Sequence, residues 1–158
     1  MHYVPLFVFL QEVGKIGMDQ NEKTIIAAYD KNPFCKTCDI QVTRVAEGES
    51  ELRLEVDDKH TNIYGAAHGG VLATLVDTAM GVAAASVGYR IVTLNLNLSY
   101  INSIFFCDTA VAEAKIIHKG MSTLVAEGII KNSKGDIVVK AVGTLFVVGR
   151  FDEVKEKW

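Results

Sequence analysis

TNIYGAAHGGVLATLVDTAMGVAAAS, Thr61 to Ser86, is the stretch on which the reading of this chain turns. A polar, Gly-containing turn, Asn62 to Gly65, leads into His68-Gly69-Gly70. An apolar segment, Val71 to Ala85, follows with one carboxylate, Asp77, near its middle. The segment lacks Pro and is rich in Ala, Leu and Met, which favours helix. Apolar residues occupy nearly all its sides, so the helix is expected to be buried in a core. It reads as too short and too interrupted to span a bilayer.

A buried carboxylate needs a reason, because desolvation disfavours its charged form and tends to raise its pKa. On a helix, Asp77 falls in a row with Thr74, Thr78 and Gly81, at spacings of three and four that share one face. Two readings follow. In one, Asp77 is structural and accepts hydrogen bonds from buried donors. In the other it is a base or nucleophile, and Gly69 and Gly70 stand at the helix start, where amides lack intrahelical partners and the dipole is positive. Glycines there let a substrate approach the backbone, as an oxyanion hole requires.

Gly69 and Asp77 are eight residues apart. At ~1.5 Å per residue that is roughly 12 Å along one helix. One small carbonyl cannot easily meet both groups of a single helix. A second helix, antiparallel across a two-fold axis, would bring one chain's Asp77 to the other's Gly69. A homodimer with two shared sites is therefore expected.

The 158 residues predict a single domain, and a net charge of −3 without basic runs argues against nucleic acid as a partner. Cys35, Cys38 and Cys107 are too few and odd in number for a disulfide framework and fit a reducing, cytoplasmic setting. Cys35-Lys36-Thr37-Cys38 has metal-like or redox-like spacing, but no second ligand pair accompanies it, so no metal is expected.

Residues 1–18 read as an N-terminal arm. Its apolar run from Tyr3 to Leu10 lacks a basic flank and a cleavage site, which argues against a secretory signal and a membrane role. The domain is expected over 19–150 and a charged tail over 151–158. A first helix covers 19–31, with Asp19 as a cap and Asn32-Pro33 as its stop. Strands are expected over 39–45 and 51–56, then after the long helix over 91–101, 108–118, 122–131 and 137–148. In the first of the later four, Val92, Leu94, Leu96, Leu98 and Tyr100 alternate with Thr93, Asn95, Asn97 and Ser99, which places the two sets on opposite faces. Runs of strands joined by short turns predict an α+β fold, an antiparallel sheet curled around one helix.

The element order and the series NIYGAAHGGVLATLVDTAMG, with TLNLNLSYINS after it, resemble the hotdog-fold acyl-CoA thioesterases, in particular the phenylacetate-pathway type, over about residues 30 to 148. The resemblance implies an acyl-CoA substrate, no cofactor, and an active homodimer, often doubled to a homotetramer. It implies Asp77 as base or nucleophile and Gly69 as the amide that polarises the thioester carbonyl. Asn62 would hold the carbonyl or the water, His68 would orient groups beside the site, and Thr93 would help place the water. Gly70 would line the substrate site. Lys119 and Gly120 occupy a turn that in relatives lies near the nucleotide part of coenzyme A, although a lysine in a hairpin turn is commonly just solvated.

Each residue also has a plainer reading. His68 suits a helix cap, Thr93 a strand, and Asn62 a turn. His2, His60 and His118 have no evident partner in the sequence. Two other functions share the fold: a hydratase or dehydratase using His68 and Asp77 as acid and base, and a non-catalytic acyl-CoA-binding module.

Overall fold

The structure is a computed structural model and describes residues 20–153. The arm over 1–18, the cap at Asp19, His2 and the end of the charged tail lie outside the described residues. In chain order the elements are α1 (Gln20–Asp30), α2 (Pro33–Thr37), β1 (Gln41–Ala46), β2 (Glu49–Glu55), a 3-10 turn (Asp58–His60), α3 (Gly69–Ser86), β3 (Tyr89–Tyr100), β4 (Thr109–Lys119), β5 (Thr123–Lys131) and β6 (Ile137–Arg150). Short α2 was not foreseen. Asn32 ends the first helix and caps this one, its Oδ1 accepting from the amides of Phe34 and Cys35.

All six strands form one sheet in the order β1-β2-β4-β5-β6-β3, every pair antiparallel. The sheet curls around α3, as the apolar composition of that helix requires. Leu52, Leu54, Leu124, Ile130, Val139 and Leu145 turn inward from the strands. Leu72, Leu75, Val76, Ala79, Met80 and Ala83 meet them from the helix. Small residues let the helix sit low. Alanines at 110, 112 and 114 line β4, and a Cβ added at Gly128 or Gly143 would collide with Val76 or Met80. This is a close approach that only glycine allows.

By length and composition α3 would suffice to cross a bilayer, which corrects the expectation that it is too short. Ten of its eighteen residues are instead buried in this chain, wrapped by its own sheet. Polar ties to β2 and to the β1–β2 turn help to hold it there. The Ser50 hydroxyl donates to the Ala79 carbonyl at 2.7 Å. The Ser86 hydroxyl accepts from the Gly48 amide at 2.8 Å, pinning the helix end to the β1–β2 turn.

Burial of α3 is not complete. Thr74, Asp77 and Thr78 are only half-buried, because the sheet leaves this stripe uncovered. Toward the C-terminal end α1 closes the stripe, with the Tyr29 hydroxyl 3.0 Å from where a Cβ on Gly81 would be.

The alternation expected in β3 breaks at one place. Thr93 pairs with Leu145 but Asn95 pairs with Thr144, so Leu94 is an extra residue, a β-bulge. The bulge shifts the pleat by one. Val92 and Leu94 therefore face away from the core and are exposed, while Leu96 and Leu98 pack against it. Thr93 leaves the set of Asn95, Asn97 and Ser99 and turns toward α3.

Candidate active site

The bulge brings Thr93 to Asp77. The Thr93 hydroxyl donates to Asp77 Oδ1 at 2.8 Å, across sixteen residues of sequence. That bond fixes the carboxylate rotamer and leaves Oδ2 without a donor among the described residues, on the half-open stripe of α3. Thr74 and Thr78 do not compete for the carboxylate, since their hydroxyls return to the helix carbonyls of Gly70 and Thr74 at 3.0 and 2.7 Å. Next along the helix, burial pushes the Tyr29 hydroxyl well above its ordinary pKa, and the nearby Cys35 thiol and Asp77 carboxylate add to the shift.

At the other end of the stripe, His68 is the helix N-cap. Its Nδ1 accepts from the Gly70 amide at 2.9 Å, which leaves the proton of a neutral ring on Nε2. The amides of Val71 and Leu72 donate to the His68 carbonyl at 3.0 and 3.3 Å. Gly69 is thus the residue of this first turn whose amide has no acceptor among the described residues. Gly70, expected as a second substrate amide, spends its N–H on the cap. A further residue fixes the turn. The Tyr100 hydroxyl donates to the Gly69 carbonyl at 2.8 Å, and its ring lies 3.2 Å from the Cβ position of Gly69. Nothing in the strand pattern distinguished Tyr100 from the apolar residues of its own set.

Asn62 shapes its own turn. Its Oδ1 accepts from the amides of Tyr64 at 2.9 Å and Ala66 at 3.3 Å, leaving the Nδ2 amide as the group it has to offer a substrate. The turn it builds is tied to the rest of the fold by bridges from Thr61 to Ala67 and from Ala66 to Phe105. Lys119 and Gly120 lie elsewhere in the chain. Lys119 Nζ sits 5.4 Å from the centroid of the Tyr89 ring, and the Gly120 amide closes the β4–β5 turn on the Thr123 carbonyl at 2.8 Å. Tyr89 follows the C-terminal end of α3, roughly 27 Å along the axis from Gly69. His68 and Asp77 make no hydrogen bond to one another; each has a different partner.

A cleft of about 370 Å³ opens beside the first turns of α3. Phe34, Thr37 and Cys38 border it from α2 and its end, and His68, Val71 and Thr74 from α3. His60 also reaches it. That side chain is 3 % exposed, and its Nδ1 accepts from the Asp57 amide at 3.0 Å, a partner that sequence reasoning did not supply. A wider depression of about 860 Å³ lies by Asn132 and Ile137, but it borders none of the site residues named above. Among the described residues no group of three or more His, Cys, Asp or Glu is placed to hold a metal.

Comparison with known proteins identifies the family and the fold. The model of the "Thioesterase superfamily" matches residues 64–139. The structure of the Escherichia coli PaaI protein, from the phenylacetic acid degradation operon, superposes with a TM-score of 0.75 at 27% identity, covering 78% of this chain and 90% of that one. That protein is named acyl-coenzyme A thioesterase PaaI. A hypothetical thioesterase of Streptococcus pneumoniae, solved with coenzyme A, superposes with a TM-score of 0.68 at 32% identity over 70% of this chain and 87% of that one. Human acyl-coenzyme A thioesterase 13 is 29% identical over 113 residues, covering 70% of this chain and 76% of the human protein.

Proposed function

The chain belongs to the thioesterase superfamily and has the hotdog fold, and from that premise we propose that it hydrolyses acyl-CoA thioesters to the free acid and coenzyme A. The observation that carries the reading is one helix presenting two things: a first amide at Gly69 with no acceptor among the described residues, and a carboxylate at Asp77 held by Thr93 on the open stripe. The Streptococcus pneumoniae neighbour has also been solved with an aspartate or with a threonine replaced by alanine. The separation of those two positions is the same as that of Asp77 and Thr93.

In the proposed reaction the thioester carbonyl docks on the Gly69 amide. Asp77 attacks it, or removes a proton from the water that does. The developing oxyanion gains from a donor already aimed at it, an effect commonly worth about 3–4 kcal/mol for one such donor. His68 Nε2 and Asn62 Nδ2 border the carbonyl from the preceding loop. The cleft next to His68 receives the acyl group. At about 370 Å³ it suits a compact acyl group, near the lower end of the range of ligand pockets.

Gly69 and Asp77 of one chain are too far apart for this chemistry, so the site is shared by two protomers. β3 supplies the contact. It is twelve residues long, lies at one edge of the sheet, and carries exposed Val92 and Leu94. Such an edge needs covering. Pairing it with its own copy across a two-fold axis sets the two α3 helices antiparallel, with the Asp77 carboxylate of one near the Gly69 amide of the other. The same arrangement carries the Lys119–Gly120 turn of one protomer toward the Gly69 end of its neighbour. Coenzyme A release, followed over short, aromatic and long acyl-CoAs with Asp77→Asn as control, tests the reading. Turnover of no acyl-CoA, or turnover that survives Asp77→Asn, would overturn it.

A further inference from the structure

We propose that Cys35 and Cys38 form a reversible thiol–disulfide site, and that its oxidation by a small disulfide deforms the wall of the cleft beside Gly69. Both cysteines belong to α2 and its C-cap, where the Cys38 amide donates to the Phe34 carbonyl at 3.1 Å. Residues three apart share a helix face, with Cβ atoms about 5–6 Å apart. A disulfide asks for about 3.5–4.5 Å. Closing the bond therefore tightens the last turn of α2 by about 1–2 Å. Phe34, Thr37 and Cys38 are the α2 wall of the cleft, so the movement changes its shape directly.

The two thiols have unequal surroundings, which assigns their order. Cys38 is half-buried and borders the cleft, where a small molecule reaches it. Cys35 is buried at 4 % exposure, next to the hydroxyl of Thr78, the residue after Asp77 in α3. Burial, and then the neighbouring Cys38, push its thiol above the ordinary range. Cys38 thiolate attacks one sulfur of the small disulfide, and one thiolate leaves. Cys35 then gives its proton to solvent and attacks the Cys38 sulfur, expelling the second thiol. Two protein thiols are oxidised and one disulfide is reduced to two thiols, so the exchange balances.

The modification stands without any assumption about the reaction; its effect on hydrolysis rests on the function proposed above. Exposed Cys107, on the β3–β4 connection, is replaced by Ser so that it does not react. The protein is then incubated with glutathione disulfide and followed by intact mass, peptide mapping and coenzyme A release. The expected result is a loss of two hydrogens, a Cys35–Cys38 link, and hydrolysis slowed about tenfold, restored by dithiothreitol. Cys35→Ser should stop at a single glutathione on Cys38, and Cys38→Ser should take up none. An unchanged mass at high glutathione disulfide, no glutathione on Cys35→Ser, or a linked protein that hydrolyses as fast as the dithiol form would each overturn the proposal. If the reduced protein turns over no acyl-CoA, the hydrolase reading fails while the mass measurement still decides the disulfide.

Discussion

Asp77→Asn keeps the size of the side chain and its acceptor for the Thr93 hydroxyl, and removes the charge. Because the residue is half-buried on an open stripe, the fold has little to lose. A fall in kcat of about 10²–10⁴ is expected, the usual size of a general-base contribution, with the melting temperature unchanged. Thr93→Val is a milder and more diagnostic change. It keeps the branched shape the strand wants and deletes the 2.8 Å bond. The carboxylate then samples other rotamers, so kcat should drop about tenfold while KM holds. Steady-state kinetics on both variants check this; a Thr93→Val enzyme with native kcat would reduce Thr93 to a strand former. Asp77 and Gly69 were legible as residues because a carboxylate and a pair of glycines are anomalies in an apolar helix. Tyr100 was not, since an aromatic residue in the apolar set of a strand is ordinary until its hydroxyl is seen 2.8 Å from the Gly69 carbonyl.

Elements were legible to the extent that their periods are constant. The long helix, the first helix and all six strands follow from period 3.6 and period 2, and their ends differ from expectation by a few residues. The bulge at Leu94 is different in kind. Val92 to Tyr100 alternates without fault, so pattern alone puts Thr93 on the outer face. Only pairing with β6 shows the inserted residue and the reversal. Short α2 escaped for another reason: Asn32-Pro33 is a strong stop signal, and the same pair is also a good start. How close α3 lies to the sheet belongs to this scale too, and it is testable. Gly128 faces Val76, a stiff β-branched side chain, with Met80 Cε at 3.0 Å. Gly143 faces the Met80 sulfur at 2.6 Å, which can swing aside. Overpacking of this kind costs about 1–3 kcal/mol. Gly128→Ala should take the upper end of that range and Gly143→Ala the lower, a drop in melting temperature of about 2–4 °C per kcal/mol. Calorimetry that finds the opposite order would mean the helix, not the methionine, gives way.

At the scale of the whole molecule the question is whether a single chain contains a site. The helix separates Gly69 from Asp77 by roughly 12 Å, and in the folded chain each is held by a different residue of β3, Gly69 by Tyr100 and Asp77 by Thr93. Those two bonds fix the helix on the strand, so neither group can travel to the other. A dimer of antiparallel helices resolves this, and it makes a quantitative demand. Asp77→Asn spoils the carboxylate and leaves the Gly69 amide sound. Gly69→Ala adds a methyl 3.2 Å from the Tyr100 ring, on the turn proposed to receive the thioester, and leaves the carboxylate sound. Each variant alone should be nearly inactive. Mixed in equal amounts and allowed to exchange subunits, half of the dimers are hybrids. In every hybrid one shared site has both sound groups and the other has neither. The mixture should therefore recover about one quarter of native activity. Sites contained within one chain allow no recovery at any mixing ratio, because every chain then carries a defect of its own. Coenzyme A release measured before and after subunit exchange separates the two outcomes.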